Sequence, residues 1–370
     1  MRIAFDATAA ATQLAGVGRY ARELLRELVT IEPADDMQII CAAERSQGDA
    51  LLDSLPPGAA RELRLIPGGY RWSTLLWQRL RVPLPIDLLL KDADIFHATD
   101  FVAPPTRIPL VTTIHDLSYL RVPELGDERL VRYLTDAVPR TLAKSAQVIA
   151  VSASVAAEIA EAYPAVRERV VAVPNGVRLP VDRNKRCVPT APNVLIVGTI
   201  EPRKNHLTLI RAMNDARTHI PDATLDIVGR AGWRSDDIVR AIRAGEREGW
   251  ITWHDAASDA DLERAYSHAA VFAYPSWYEG FGLPVLEAMA RGIPVVAGDI
   301  PVLREVGNAA ARYARPDDAA QIADHIVTLL DSQSEREALV ERGLAQATGY
   351  SWRRTAEATR RVYGRAIEMS

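Results

Sequence analysis

Two carboxylates stand eight positions apart in the stretch YPSWYEGFGLPVLEAMARGIPVV, Tyr274 to Val296. Glu279 precedes a Gly-Phe-Gly turn, and Glu287 lies inside the short helix that should follow. Neither helical nor strand periodicity accounts for both in an otherwise apolar run. Pro284 suits a first helical turn and Gly292 a C-terminal stop, which predicts a helix of about two turns with Gly280, Phe281 and Gly282 at its mouth. N–H groups at a helix mouth attract phosphate, so Gly282 and Leu283 are candidate nucleotide contacts. Glu287, about one turn inside, could accept hydrogen bonds from a ribose diol, as acidic residues do in other nucleotide-binding folds. Glu279, ahead of the turn, lies nearer a group attached to the phosphates. The plainer alternatives are that Glu287 favours a helix N-terminus and that Glu279 pairs with a neighbouring arginine.

VLIVGTIEPRKNHLTLI reads as a strand, a glycine-containing loop bearing Arg203 and Lys204, and a helix. Two cations beside a helix N-terminus oppose the macrodipole unless an anion sits between them, which suggests a diphosphate clamp; a solvated charged loop is the alternative. AGVGRYARELL places Gly16 and Gly18 before another helix, where a backbone approachable by phosphate or an ordinary turn would both use glycine. Ala21 stands where the dinucleotide fingerprint needs its third glycine, which counts against a nicotinamide enzyme. VTTIHDLSYL puts His115 and Asp116 just past a strand, positioned to meet a sugar hydroxyl or assist a proton. His97, ending another strand in DIFHATDF, could do the same or simply satisfy a local hydrogen bond.

Two D-x-D spacings, Asp92/Asp94 and Asp259/Asp261, could suggest a metal-diphosphate site. The first precedes a strand, at the end away from the expected ligand, and the second reads as a capped helix start. With Arg203 and Lys204 available to neutralise phosphate, no metal is expected. Residues 61–85 interleave Arg61, Arg64, Arg71, Arg79 and Arg81 with Trp72, Leu75, Leu76, Trp77 and Leu80. Such a segment could rest on an anionic membrane surface or receive a lipid-linked acceptor, although ordinary core packing with solvated arginines is the better reading.

These residues need elements to position them. Short β-branched runs alternate with amphipathic helical patterns in both halves, so the class is α/β. Strands are expected at RIAF, MQIICA, ELRLI, DIFH, LVTTI and QVIAV, then at VLIVG, ATLDIVG, WITWH, AVFAYPS and IPVVAG, with clear helices over Val17–Thr30 and Glu128–Lys144. The 370 residues suggest two domains. These are 1–178 and 193–350, joined by a Pro- and charge-rich linker at 179–192 and followed by a last helix at 351–370. Two doubly wound domains facing across a cleft would bind ligands at the carboxyl ends of their strands. A net charge of −4 gives no global reason to expect nucleic acid. Two cysteines, Cys41 and Cys187, lack metal-ligand spacing and favour a reducing compartment, and no segment resembles a signal peptide or a membrane span, so a cytoplasmic protein is expected.

EGFGLPVLE, VGTIEPRKN, GVGRY, IHD and PNGV, in this combination along the chain, closely resemble the retaining glycosyltransferases of family 4, which have the GT-B fold. GVGRYARELL, DIFHATDF and TIHDLSYLRVPE are most similar to the bacterial mannosyltransferase branch of O-antigen and other surface-polysaccharide assembly. The resemblance implies that Arg203 and Lys204 bind the donor diphosphate, Glu287 the ribose and Glu279 the donor sugar. Gly16 would bring backbone to the phosphates, and His115 would contact the sugar near the reacting carbon. It also implies that 1–178 is the acceptor-binding domain and 193–350 the nucleotide-sugar-binding domain, and that the last helix crosses back to the first domain, with Trp352 packing there. Many relatives carry arginine where this chain has Thr199, a charge that Arg203 would have to supply. The implied reaction moves a hexose, mannose from GDP-mannose as a first guess, to a sugar hydroxyl of a glycan or polyprenyl-linked acceptor, with retention and without metal. A nucleotide-sugar epimerase of the same fold and a non-catalytic nucleotide-sugar binding protein are the alternatives.

Overall fold

The computed structural model describes all residues except 14–15, 33–34, 57–60, 70–76, 78–81, 83, 180–190 and 370. The chain divides into two compact units, neither contiguous: Met1–Leu117 with Arg132–Gly176 and Trp352–Ser370, and Ser118–Val131 with Val177–Ser351.

The first unit is built on a parallel sheet of β1 (Arg2–Asp6), β2 (Asp36–Cys41), β3 (Arg61–Leu65), β4 (Ile95–Ala98), β5 (Leu110–Ile114), β6 (Gln147–Ala150) and β7 (Val170–Ala172). Their spatial order is β3-β2-β1-β4-β5-β6-β7. The order reverses between β1 and β4, which opens a crevice at the carboxyl ends of these two strands. β4, β5 and β6 are buried at every position, as expected where helices cover both faces. The helix Val17–Ile31 buries Tyr20, Ala21, Leu24, Leu25 and Leu28 at helical spacing. The helix Trp352–Glu368 packs against it, so the end of the chain completes a unit begun by its first strands. Trp352 is buried with its ring 6.2 Å from that of Tyr20, a packing role.

The second unit repeats the plan with β8 (Asn193–Val197), β9 (Thr224–Val228), β10 (Ile251–His254), β11 (Val271–Tyr274), β12 (Val295–Gly298) and β13 (Ala311–Ala314), in the order β10-β9-β8-β11-β12-β13. Its reversal lies between β8 and β11. The loops leaving these two strands carry Arg203 and Lys204 on one side and Glu279 on the other, at a topological switch point.

Both aspartate pairs are engaged in local structure, and Asp92 pairs with Arg2. Asp94 accepts from the Arg2 backbone N–H at 2.8 Å and its guanidinium at 2.8 Å, at the amino ends of β1 and β4. Asp261 closes a capping box with Ser258. Of the Arg/Trp segment, Arg61 and Arg64 belong to β3, and Trp77 packs against the core cluster around Ile86 and Phe96 while its Nε1 donates to the Leu84 carbonyl. Arg71, Trp72, Leu75, Leu76, Arg79, Leu80 and Arg81 lie outside the described residues, as does Cys187. Cys41 is a buried free thiol. Among the described residues, no helix is long and apolar enough to cross a membrane.

Candidate functional site

In the second unit the Pro202–Lys204 turn holds its two cations against Glu279. Lys204 Nζ donates to Glu279 Oε1 at 2.6 Å and to the Tyr274 hydroxyl at 2.7 Å. Arg203 reaches Glu279 Oε2 at 3.2 Å and the Tyr278 carbonyl at 2.9 Å, and pairs with Glu201 Oε1 at 2.6 Å. The Trp277 N–H closes the loop pair by donating to the Arg203 carbonyl at 2.9 Å. Burial alone would raise Glu279, but Lys204 and Arg203 outweigh it and hold the carboxyl down to about 2. Burial lowers Lys204 and raises Glu201, each opposed by its charged neighbours. Glu279 and Glu201 pair with these cations inside the unit, so the macrodipole argument alone does not require an external anion. The arginine partner foreseen as the plain alternative for Glu279 is present.

The helix Leu283–Ala290 follows at once. Gly282 caps it at φ +92°, a left-handed conformation that favours glycine, and a side chain there would press on the Leu303 Cδ2 methyl at 2.6 Å. Glu287, one turn in, is buried and accepts from the Tyr266 hydroxyl at 3.0 Å. The loop–helix junction thus stands beside the cation pair, with both elements fixed by β11 and its neighbours.

In the first unit Gly16 caps the helix Val17–Ile31 at φ +56°, ψ −121°, a conformation other residues rarely adopt. A Cβ on Gly16 would meet nothing within 4 Å, which leaves this backbone approachable. Gly18 lies inside the helix rather than before it, where a Cβ would clash with the Gln13 carbonyl, so it serves packing.

His115 donates from Nε2 to the Thr99 carbonyl at 2.8 Å. A carbonyl only accepts, so the neutral ring carries its proton on Nε2 and keeps a lone pair on Nδ1. Burial lowers the His115 pKa, against the raising effects of the Thr99 bond and Asp116. The edge-on contact with Tyr20, at 4.8 Å between ring centres, fixes the imidazole plane. His97 proves structural: Nδ1 is 2.7 Å from the Tyr363 hydroxyl and Nε2 is 2.8 Å from Thr113 Oγ1, and burial drives its pKa down to about 3. The carboxyl ends of β1 and β4 also gather Asp6 and Asp100. Burial, with Asp6 and Asp116 nearby, raises Asp100 to about 7.

Sequence reasoning missed Glu201, Tyr274, Asp6 and Asp100. Glu201 stands two positions before Arg203, and Tyr274 opens the very stretch that carries Glu279, so strand-end position alone could have found both. Among the described residues, no group of three or more His, Cys, Asp or Glu side chains is arranged to hold a metal ion.

Known proteins share this plan. A family described as Glycosyltransferase Family 4 matches residues 14–180, and one described as Glycosyl transferases group 1 matches 182–346. An O-antigen chain mannosyltransferase B of Escherichia coli is 31% identical, with 98% of this chain and 99% of that protein covered. The chain belongs to the family 4 glycosyltransferases. A serotype-specific mannosyltransferase of Escherichia coli, WbdA, is 27% identical over 85% of this chain, which spans only 42% of that longer protein. The solved structure of Anabaena HepE in complex with UDP and glucose superposes with a TM-score of 0.73 at 17% identity, covering 98% of both chains. That likeness places the two parallel-sheet units in the GT-B fold. As a member of this family the protein is a glycosyltransferase, with mannosyltransferases among its relatives.

Proposed function

We propose that the protein transfers a hexose, mannose from GDP-mannose, to a sugar hydroxyl of a glycan or polyprenyl-linked acceptor, with retention at the anomeric carbon and without a metal ion. The observation that carries the reading is the buried Arg203–Lys204–Glu279 cluster beside the Gly282 helix mouth. The name of the mannosyltransferase matched over its full length supports the choice of sugar.

In this reading the donor diphosphate takes Arg203 and Lys204 as its counter-charges, and the backbone at Gly282 and Leu283 faces a phosphate. Glu287 holds the ribose, and Glu279, released from part of its pairing, meets the donor sugar. From the first unit, Gly16 offers backbone to the phosphates and His115 contacts the sugar. The bond from the anomeric carbon to the phosphate oxygen breaks with its electron pair going to the nucleotide. The acceptor oxygen bonds the same face, and its proton passes to the departing phosphate. Two cations in a site dry enough to keep Lys204 8% exposed stabilise the charge developing on that leaving group. The enzyme works at the cytoplasmic face of the membrane, where a polyprenyl-linked acceptor would be met.

A thermal-shift screen with GDP, UDP, ADP and their sugar conjugates, in EDTA and repeated with Lys204→Ala, tests this. GDP and GDP-mannose should raise Tm in the wild type and lose that effect in the variant, and transfer should survive EDTA. A shift by another nucleotide series would overturn the donor, and EDTA-abolished transfer would overturn the metal-free mechanism. Proton NMR of the fresh product reads the anomeric configuration, and an inverted product would refute retention.

A further inference from the structure

Strand β11 carries Phe272 and ends in Tyr274, two side chains that differ only by a hydroxyl. They share one face of the strand, as residues two apart do, and their rings stack at 5.8 Å with 23° between the planes. Tyr266, from the helix Asp259–His268, continues the stack with its ring 6.1 Å from that of Phe272. All three side chains are buried to 1% exposure or less. A hydroxyl taken into such a core costs free energy unless it is bonded, so the bonds of the two tyrosines carry the reason for their presence.

Those bonds go to the residues assigned above to the diphosphate and to the ribose. The Tyr274 hydroxyl accepts from Lys204 Nζ at 2.7 Å, and the ammonium lies 5.1 Å from the ring centre. The Tyr266 hydroxyl donates to Glu287 Oε2 at 3.0 Å, and Arg291 lies over the same ring at 4.5 Å while donating to the Glu287 carbonyl at 2.9 Å. Burial and the charge of Glu279 oppose ionisation of the Tyr274 phenol, so it meets Lys204 as a neutral partner.

The two partners of Lys204 therefore act differently. Glu279 fixes the ammonium and offsets its charge, whereas the phenol fixes it and leaves the charge whole. A lysine head on a flexible four-carbon stem is held only by the bonds it makes. When Glu279 turns to the donor sugar, Tyr274 is the partner that remains. The third Lys204 N–H, unpartnered among the described residues, is then left for a phosphate oxygen.

We propose that the column Tyr266, Phe272 and Tyr274 is the positioning scaffold of the donor site: Tyr274 holds Lys204 on the leaving diphosphate without spending its charge, and Tyr266 holds Glu287 on the ribose. Both roles rest on the transferase reading above, and each tyrosine acts through the side chain it bonds rather than by touching the substrate.

Steady-state kinetics of Tyr274→Phe and Tyr266→Phe, each keeping its ring in the stack, separate the two roles. A hydrogen bond to a charged group is worth about ten- to a hundredfold. Tyr274→Phe should lose that factor in kcat with KM for GDP-mannose changed less than about threefold, because charge on the leaving phosphate peaks as the bond breaks. Tyr266→Phe should raise KM and the Kd of GDP together, about tenfold, with the smaller effect on kcat. The pH profile distinguishes positioning from packing. Lys204 acts as a cation among Glu279, Arg203, Glu201, Tyr274 and His206, and burial already lowers its pKa. Removing the phenol oxygen takes a bond from the charged form, so the alkaline limb of kcat should move to lower pH in Tyr274→Phe, whereas a packing defect scales every pH alike. In a Lys204→Met background Tyr274→Phe should cost less than about twofold more. Wild-type kcat in Tyr274→Phe, a loss equal at every pH, or full additivity with Lys204→Met would overturn the role of Tyr274, and an unchanged GDP Kd in Tyr266→Phe that of Tyr266. The wild type reads the donor separately. Transfer from a nucleotide sugar other than GDP-mannose would replace the donor, with the same contrasts then read on it, and no nucleotide binding at all would overturn the site and both roles together.

Discussion

Replacing Glu279 by glutamine keeps its shape and removes its charge. In the folded protein the carboxyl sits at about 2 instead of its ordinary 4.5 because Lys204 and Arg203 favour the ionised form more than burial opposes it. That displacement is worth roughly 3 kcal/mol at neutral pH, in line with the ~3–5 kcal/mol lost when one partner of a buried pair is deleted. For a unit of this size, Tm should fall by about 6–12 °C. The sign follows from a lowered folded-state pKa: the contribution is complete above 4.5 and is lost as pH falls towards 2. The difference between wild type and Glu279→Gln should therefore be flat from pH 8 to 5 and narrow below, as followed by circular dichroism melts. Removing Glu279 also removes the anion that competes with a diphosphate for the two cations. GDP should consequently bind the variant more tightly than the wild type, although sugar transfer is lost. At a hundredfold excess over Kd the nucleotide returns about 2.7 kcal/mol, most of the deficit. A Tm within 2 °C of wild type, or weaker GDP binding by the variant, would refute the charge-balance argument.

Two further outcomes follow from the geometry. The raised pKa of Asp100, about 7, means that its ionisation opposes folding increasingly as pH rises from about 4 to 7. Asp100→Asn should thus be more stable than wild type at pH 8, by roughly 2–4 kcal/mol after allowance for partial exposure, with the gap in melts closing by pH 4; a pH-independent gap would contradict the burial argument. Gly282→Ala, forced into φ +92° and against Leu303, should cost about 1–3 kcal/mol and weaken GDP binding in a fluorescence titration, and wild-type values for both would show that the helix mouth has room to adjust.

Much of this was legible in the chain. Every strand expected from a β-branched run is present, because buried parallel strands announce themselves as continuous apolar stretches. The two that escaped, β7 and β13, are the outer strands of their sheets, and ARYA shows why: a half-exposed edge needs no apolar run. Nothing local marks Ser118–Val131 as part of the second unit, since its attachment depends on Trp233 and Arg234, over a hundred residues away. Strand-end position brought Arg203, Lys204 and Glu279 together at the reversal of the second sheet, and His115 just past β5 of the first. It could not show that Glu201 and Glu279 already balance the cations, because that depends on β8 and β11 being adjacent in space.

The helix Trp352–Glu368 belongs to the first unit but leaves the ribosome after the whole of the second. The Tyr363 hydroxyl that satisfies buried His97 arrives 266 residues late. Until then the nascent first unit carries an uncovered face on its helix Val17–Ile31 and an imidazole short of one partner, while the second unit already has all its own strands. The half made first is therefore the half finished last, and its apolar surface stays exposed the longer of the two during synthesis.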